Sequence, residues 1–135
     1  MDSPRIVLAN GCFDNLHPGH LRHLQAAKAM GDILIVSITR DEHVNKGPGR
    51  PLFPLAERMA MVAALRCVDA VMPSDSAIDA LSRCSPTIFV KGSEYRGSSS
   101  MIETEAHCHW RGIEVRFTDE PTYSSTKIIN ELRRS

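Results

Sequence analysis

Apolar positions fall into short, nearly continuous runs separated by longer stretches in which they recur every three or four residues. Arg5 to Ala9 (RIVLA), Asp32 to Ile38 (DILIVSI), Asp69 to Met72, Thr87 to Val90 (TIFV) and Ile113 to Phe117 (IEVRF) are rich in β-branched and aliphatic residues. Runs this short and continuous predict strands buried on both faces. Between them lie helical patterns. Pro18 opens one through Met30, with Gly31 expected as its C-terminal cap. Leu55 to Leu65 forms another, with Leu55, Met59, Val62 and Leu65 on one face. Pro73 to Cys84 fits a loop and helix with Ile78 and Leu81 inward. Met101 to Trp110 reads as a helix ending at Gly112, and Ser124 to Arg133 as a closing helix. Asn45 to Pro54 (NKGPGRPLFP) is too rich in Gly and Pro for regular structure.

Strands alternating with helices predict an α/β fold. The expectation is a single-domain, Rossmann-like three-layer sandwich with a mostly parallel five-stranded sheet and right-handed crossovers. Ligands of such sheets bind beyond the C-terminal ends of the strands, at the point where the strand order reverses. The loops that leave the strands are therefore where chemistry is expected.

Composition narrows the function. The chain has 135 residues, 42% hydrophobic and 24% charged, enough for one core without metals or disulfides. Sixteen basic and 16 acidic residues cancel, which argues against a general nucleic-acid binder. No apolar run reaches the ~18 residues of a membrane span, and Met1 to Arg5 does not read as a secretory leader, so the expected location is the cytoplasm. Cys12, Cys67, Cys84 and Cys108 form no Cys-x-x-Cys pair and read as free, mostly buried thiols. His107-Cys108-His109 looks like a metal tract, but adjacent residues point in different directions and do not make one site. Trp110 and Phe117 are expected in the core.

The first strand-to-helix connection reads Asn10-Gly11-Cys12-Phe13-Asp14-Asn15-Leu16-His17-Pro18-Gly19-His20. Gly11 permits a sharp turn and close approach of backbone to a ligand. His17 precedes the helix and His20 lies in its first turn, so both imidazoles can face a helix end that attracts phosphate. His23, a further three residues on, drifts round the helix and is expected to be structural or exposed. A Walker lysine and a Gly-x-Gly-x-x-Gly fingerprint are both absent, which excludes a P-loop and a classical dinucleotide site.

Gly11-Cys12-Phe13-Asp14 followed by His17-Pro18-Gly19-His20 resembles the G-[TC]-F-D-x-x-H-x-G-H signature of the cytidylyltransferase-like nucleotidyltransferases. Three more segments agree. Lys46 to Pro51, followed by Glu57-Arg58-Met59, is similar to that superfamily's basic loop and Glu-Arg helix start. Val90-Lys91-Gly92-Ser93-Glu94-Tyr95 resembles the V-K-G-x-[DE]-Y segment of the ADP-heptose synthase adenylyltransferase domain. Tyr123 to Ile129 resembles the closing [ST]-[ST]-T-x-I-I element. Glycerol-3-phosphate cytidylyltransferases are the next most similar group, but their arginine before the closing element is missing from Asp119 to Tyr123.

The resemblance implies transfer of a nucleoside monophosphate, from ATP rather than CTP, to a sugar or polyol phosphate, with release of pyrophosphate. It implies Mg²⁺ bridging the nucleotide phosphates, with no dedicated protein ligands, and a homodimer. His17, His20 and Lys46 are the implied catalytic residues. Nucleotide contacts fall to Gly11, Cys12, Phe13, Asp14, Gly19, Arg58, Lys91, Gly92 and the Ser124-Ser125-Thr126 helix start. Acceptor contacts fall to Asp14, Arg50, Glu94 and Tyr95. The residues alone leave alternatives. Asp14 either orients its loop or binds substrate, or a metal indirectly; Arg58 either pairs with Glu57 or Asp69 or holds phosphate.

Overall fold

The computed structural model describes residues 3–119 and Leu132. Five parallel strands form one sheet: β1 (Ile6–Gly11), β2 (Ile33–Thr39), β3 (Ala70–Ser74), β4 (Ile88–Gly92) and β5 (Glu114–Thr118), in the order β3-β2-β1-β4-β5. The helices between them are α1 (Pro18–Lys28), α2 (Leu55–Ala63), α3 (Ala77–Cys84) and α4 (Ile102–Arg111). Alternate residues of each central strand face opposite layers. Val7, Ala9, Leu34, Val36, Ile38, Ile88 and Val90 pack with Leu24 and Ala27 of α1 and Val62 of α2. Leu8 and Phe89 pack with Ala80 and Leu81 of α3 and Met101 and Cys108 beside and on α4. The near-continuous apolar runs thus encode a sheet covered on both faces.

Chain order runs outward from β1 to β3 on one side, then returns to β4 on the other. The reversal puts the open edge between the loops that follow β1 and β4. The closing helix expected over Ser124 to Arg133 lies outside the described residues apart from Leu132.

Several local expectations are corrected. The first helix stops at Lys28, with Ala29 as a right-handed C-cap, so Gly31 is not a left-handed cap. Gly31 is required for close approach: a Cβ there would lie 2.7 Å from Val7 Cγ2 and 2.8 Å from the Arg5 carbonyl oxygen. Gly112, with φ +72°, does cap α4 as expected. Trp110 is 79% exposed, not core. It sits two residues from buried Cys108, about 200° round the helix, and so on the solvent side. Phe117 is half-buried against the α3–α4 layer. On α3 the inward residues are Ala77, Ala80, Leu81 and Cys84, and Ile78 lies off that face. All four cysteines are free, but only Cys108 is fully buried.

Candidate active site

The loop after β1 is built to present α1's first turn. Phe13 and Asn15 adopt positive φ, 50° and 63°, so the chain reverses twice within three residues. Non-glycine residues hold that conformation only when neighbours over-determine it. A Cβ at Gly11 would come 2.9 Å from the Phe13 ring, so glycine lets the ring fold back over the end of β1. Three consecutive carbonyls of the turn are each taken by a side chain. Lys91 Nζ donates to Asn10 O (2.9 Å), Thr39 Oγ1 to Gly11 O (3.4 Å) and Arg58 Nη1 to Cys12 O (2.9 Å). Buried Asn10 also donates through Nδ2 to Ser37 Oγ and Ser74 Oγ, tying β1 to β2 and β3.

His17 is the N-cap of α1 and His20 its third residue, and the pair forms a capping box from two imidazoles. Gly19 N donates to His17 Nδ1 (3.1 Å), and His17 N donates to His20 Nδ1 (3.3 Å). The rings stack with centroids 3.8 Å apart, and the Phe13 ring meets His20 edge-on at 5.4 Å. Because both Nδ1 atoms accept backbone protons, the ring proton of each neutral imidazole sits on Nε2. Burial lowers the His20 pKa to about 3, with the fields of His17, His23 and Lys46 adding to it. His20 is therefore a neutral Nε2–H donor at the N-terminus of a helix, where amides and dipole also favour an anion.

Lysines supply the positive charge. Burial lowers the Lys91 pKa to about 8, helped by Lys46 and opposed by Glu94. The Lys91 ammonium lies 4.6 Å from the Tyr95 ring centroid, a cation–π contact. Lys46 is exposed, and its charge acts on Cys12, His20 and Lys91. Gly92 ends β4 beneath the Glu94 carboxylate.

Two buried ionic hubs hold the surroundings. Asp14, whose side chain is fully buried, accepts from Arg50 Nε (2.8 Å), Leu52 N (2.5 Å) and Phe53 N (2.9 Å). Burial pushes the Asp14 carboxyl pKa up, but those amides and the guanidinium outweigh it and leave it below the usual range. Arg58 is 2% exposed and donates to Phe53 O, Cys12 O, Thr39 O and Asp41 Oδ1. Its ionic partner is Asp41, neither Glu57 nor Asp69; Asp69 pairs with Lys28 instead.

The Cytidylyltransferase-like family model matches residues 8–131. The chain belongs to the cytidylyltransferase-like family, and by that membership it is a nucleotidyltransferase. The Bifunctional protein HldE of Shewanella piezotolerans is 46% identical over 137 residues, covering 95% of this chain and 28% of that protein. The same-named protein of Methylococcus capsulatus is 42% identical over 134 residues, covering 96% of this chain. The chain thus spans 28% of the length of these curated relatives. A solved structure described as the lipopolysaccharide core biosynthesis protein from Thermoplasma volcanium superposes with a TM-score of 0.73 at 27% identity, covering 90% of this chain and all of that one.

In this cytidylyltransferase-like fold, Gly11, Cys12, Phe13, His17, Gly19, His20, Lys46, Lys91, Gly92 and Tyr95 come from the two loops and strand ends at the reversal point or from the loop whose charge reaches it. The Asp14 carboxylate and the Arg58 guanidinium are hydrogen-bonded to protein groups, and Arg50 donates from Nε to Asp14. Ser124, Ser125 and Thr126 lie outside the described residues. His23 is half-buried, with Nδ1 2.7 Å from Thr118 Oγ1, a structural tie between α1 and β5. Burial, then Lys91, lowers its pKa to about 4.

Sequence reasoning missed Asn10, Thr39 and Asp41. Asn10 had one usable signal, a polar residue at the end of a buried strand. Asp41 had none. The cavity of about 410 Å³ lined by Phe13, Leu16, Phe53, Glu57, Ala60 and Met61, among others, is mostly apolar and excludes both imidazoles, so it does not suit a triphosphate. Among the described residues one group, exposed Glu42, His43 and Asp75, could hold a divalent ion. Arg40 already pairs with Asp75 there, and the group sits at the β2–β3 end of the edge. No helix among the described residues is long and apolar enough to cross a membrane.

Proposed function

We propose that this nucleotidyltransferase adenylylates a phosphorylated sugar. An acceptor phosphate oxygen attacks the α-phosphorus of ATP, the bond from that phosphorus to the β-phosphate oxygen breaks, and pyrophosphate leaves with the electron pair. Heptose 1-phosphate is the acceptor that the likeness of Val90 to Tyr95 favours, and the likeness to a structure described as a lipopolysaccharide core biosynthesis protein fits a sugar-phosphate role. The observation that carries the reading is the mutually capped His17–His20 pair at the reversal point of the sheet.

Two neutral donors fixed by backbone bonds need no reorganisation as charge builds on the equatorial and bridging oxygens. His17 and His20 would meet the α-phosphate. Lys46 and the Ser124-Ser125-Thr126 segment would hold the β- and γ-phosphates. Lys91 and Gly92, with the amides of Gly11 to Phe13, would border the nucleotide, and Glu94 and Tyr95 the acceptor. Mg²⁺ would ride on phosphate oxygens and water, since the Asp14 carboxylate is occupied by three donors. The reading includes a homodimer in the cytoplasm.

Pyrophosphate release tests it, with ATP, CTP, GTP and UTP crossed against sugar and polyol phosphates. ATP with a sugar 1-phosphate should exceed CTP by at least ~10-fold in kcat/KM, because a polar mismatch in a base pocket costs about 1–3 kcal/mol. Equal rates, or CTP ahead with glycerol 3-phosphate, would overturn it.

A further inference from the structure

Asp14 and Arg50, both expected by resemblance to touch ligands, are paired with each other. Their side chains are 0% and 3% exposed and meet at 2.8 Å. The Asp14 carboxylate also takes the amide protons of Leu52 and Phe53, while Arg58 takes the Phe53 carbonyl. At the other end of the same segment, Arg58 Nη2 meets Asp41 Oδ1 at 2.5 Å. Lys46 lies between these two ion pairs, five residues after Asp41 and four before Arg50. The peptide linking it to Arg50 turns at Gly47 and Gly49, both at positive φ, and those residues are exposed. Lys46 is therefore placed by its pegs and not by packing of its own.

We propose that Asp14 is a positioning residue: its carboxylate clasps the 50–53 segment and thereby places the Lys46 ammonium opposite the His17–His20 pair. The functional half of this rests on the nucleotidyl-transfer reading above. The clasp explains why an acid sits three residues before the first histidine. It fixes the Gly- and Pro-rich loop to the same turn that presents the imidazoles, so both halves of the phosphate site share one reference point.

The test uses Asp14→Asn, which keeps the shape. One acceptor oxygen then remains where two served three donors, and the NH₂ opposes the donors on its side. Amide hydrogen exchange should accelerate by 10-fold or more at Leu52 and Phe53, roughly the loss of one charge-assisted bond, while the amides of Leu8 and Val36 in the sheet stay protected. In kinetics with ATP and the acceptor, Lys46→Ala and Asp14→Asn should each lower kcat/KM by about 10-fold. The double variant should fall by about 10-fold also and not 100-fold, since one acts through the other. Arg50→Gln breaks the same link while leaving the carboxylate and should show the same non-additivity, which decides the matter if Asp14→Asn does not fold. Multiplying effects, or unchanged exchange at Leu52 and Phe53, would overturn the clasp. If Lys46→Ala and His20→Ala leave pyrophosphate release untouched, the transfer reading fails instead, and the exchange measurement still decides whether Asp14 holds the loop.

Discussion

The two halves of the proposed phosphate site are built in opposite ways. The β1–α1 turn is over-determined: three successive carbonyls are pinned by side chains, two rings cap one helix, and glycine is needed where Phe13 folds back. The 45–54 loop is under-determined, with exposed Lys46 carried between two ion pairs on a glycine-rich link. The rigid half uses neutral hydrogen-bond donors, whose value depends on fixed direction. The loose half uses an ammonium, which acts as a point charge and tolerates movement.

The largest effect should come from Arg58, which joins the halves. Arg58→Met orphans the carbonyls of Cys12, Thr39 and Phe53. It should cost about 3 kcal/mol in urea unfolding, at 1–3 kcal/mol per buried unpaired group with partial rehydration. A loss under about 1 kcal/mol would mean that the hub is not needed. Next is the rigid half. His20→Ala should cut kcat on the order of 10²-fold or more with the fold retained, because the lost donor acts in the transition state. Circular dichroism checks the fold, and near-normal turnover would make the motif purely a helix cap.

A pH profile separates the halves further. The His20 pKa of about 3 lies far below the assay range, so no imidazole limb from it should appear between pH 5 and 7. Lys91, whose pKa is about 8, loses its proton as pH rises through that value, so kcat/KM should fall on the alkaline side. Lys91→Arg should remove that limb; a limb unchanged in the variant would assign it elsewhere. The smallest effect should be Trp110→Ala. At 79% exposure the ring buries little, and the change in stability should stay within about 0.5 kcal/mol.

The sheet was legible because its strands are continuous apolar runs and its helices are periodic. Errors came where a residue's type was a poor guide to its neighbours. Trp110 suggests core by size, but its angular position on α4 decides. Gly31 suggests a cap, but Val7 and the Arg5 carbonyl decide. The His17–His20 spacing suggests a phosphate site, and the structure shows that it also makes a capping box, which the usual Ser/Thr and Glu pattern conceals. Arg58 and Asp14 were visible as motif residues, yet their partners Asp41, Thr39 and Phe53 are brought by tertiary contact at separations that no local pattern encodes.

In the proposed reaction, His17 and His20 present Nε2–H to the bound nucleotide. Nitrogen NMR of the imidazoles, with and without a non-hydrolysable ATP analogue, reads it directly. His20 should be neutral from pH 5 to 8 with its proton on Nε2, and this nitrogen should shift when the analogue binds. A His20 that titrates near 6.5, or an Nε2 indifferent to nucleotide, would contradict it.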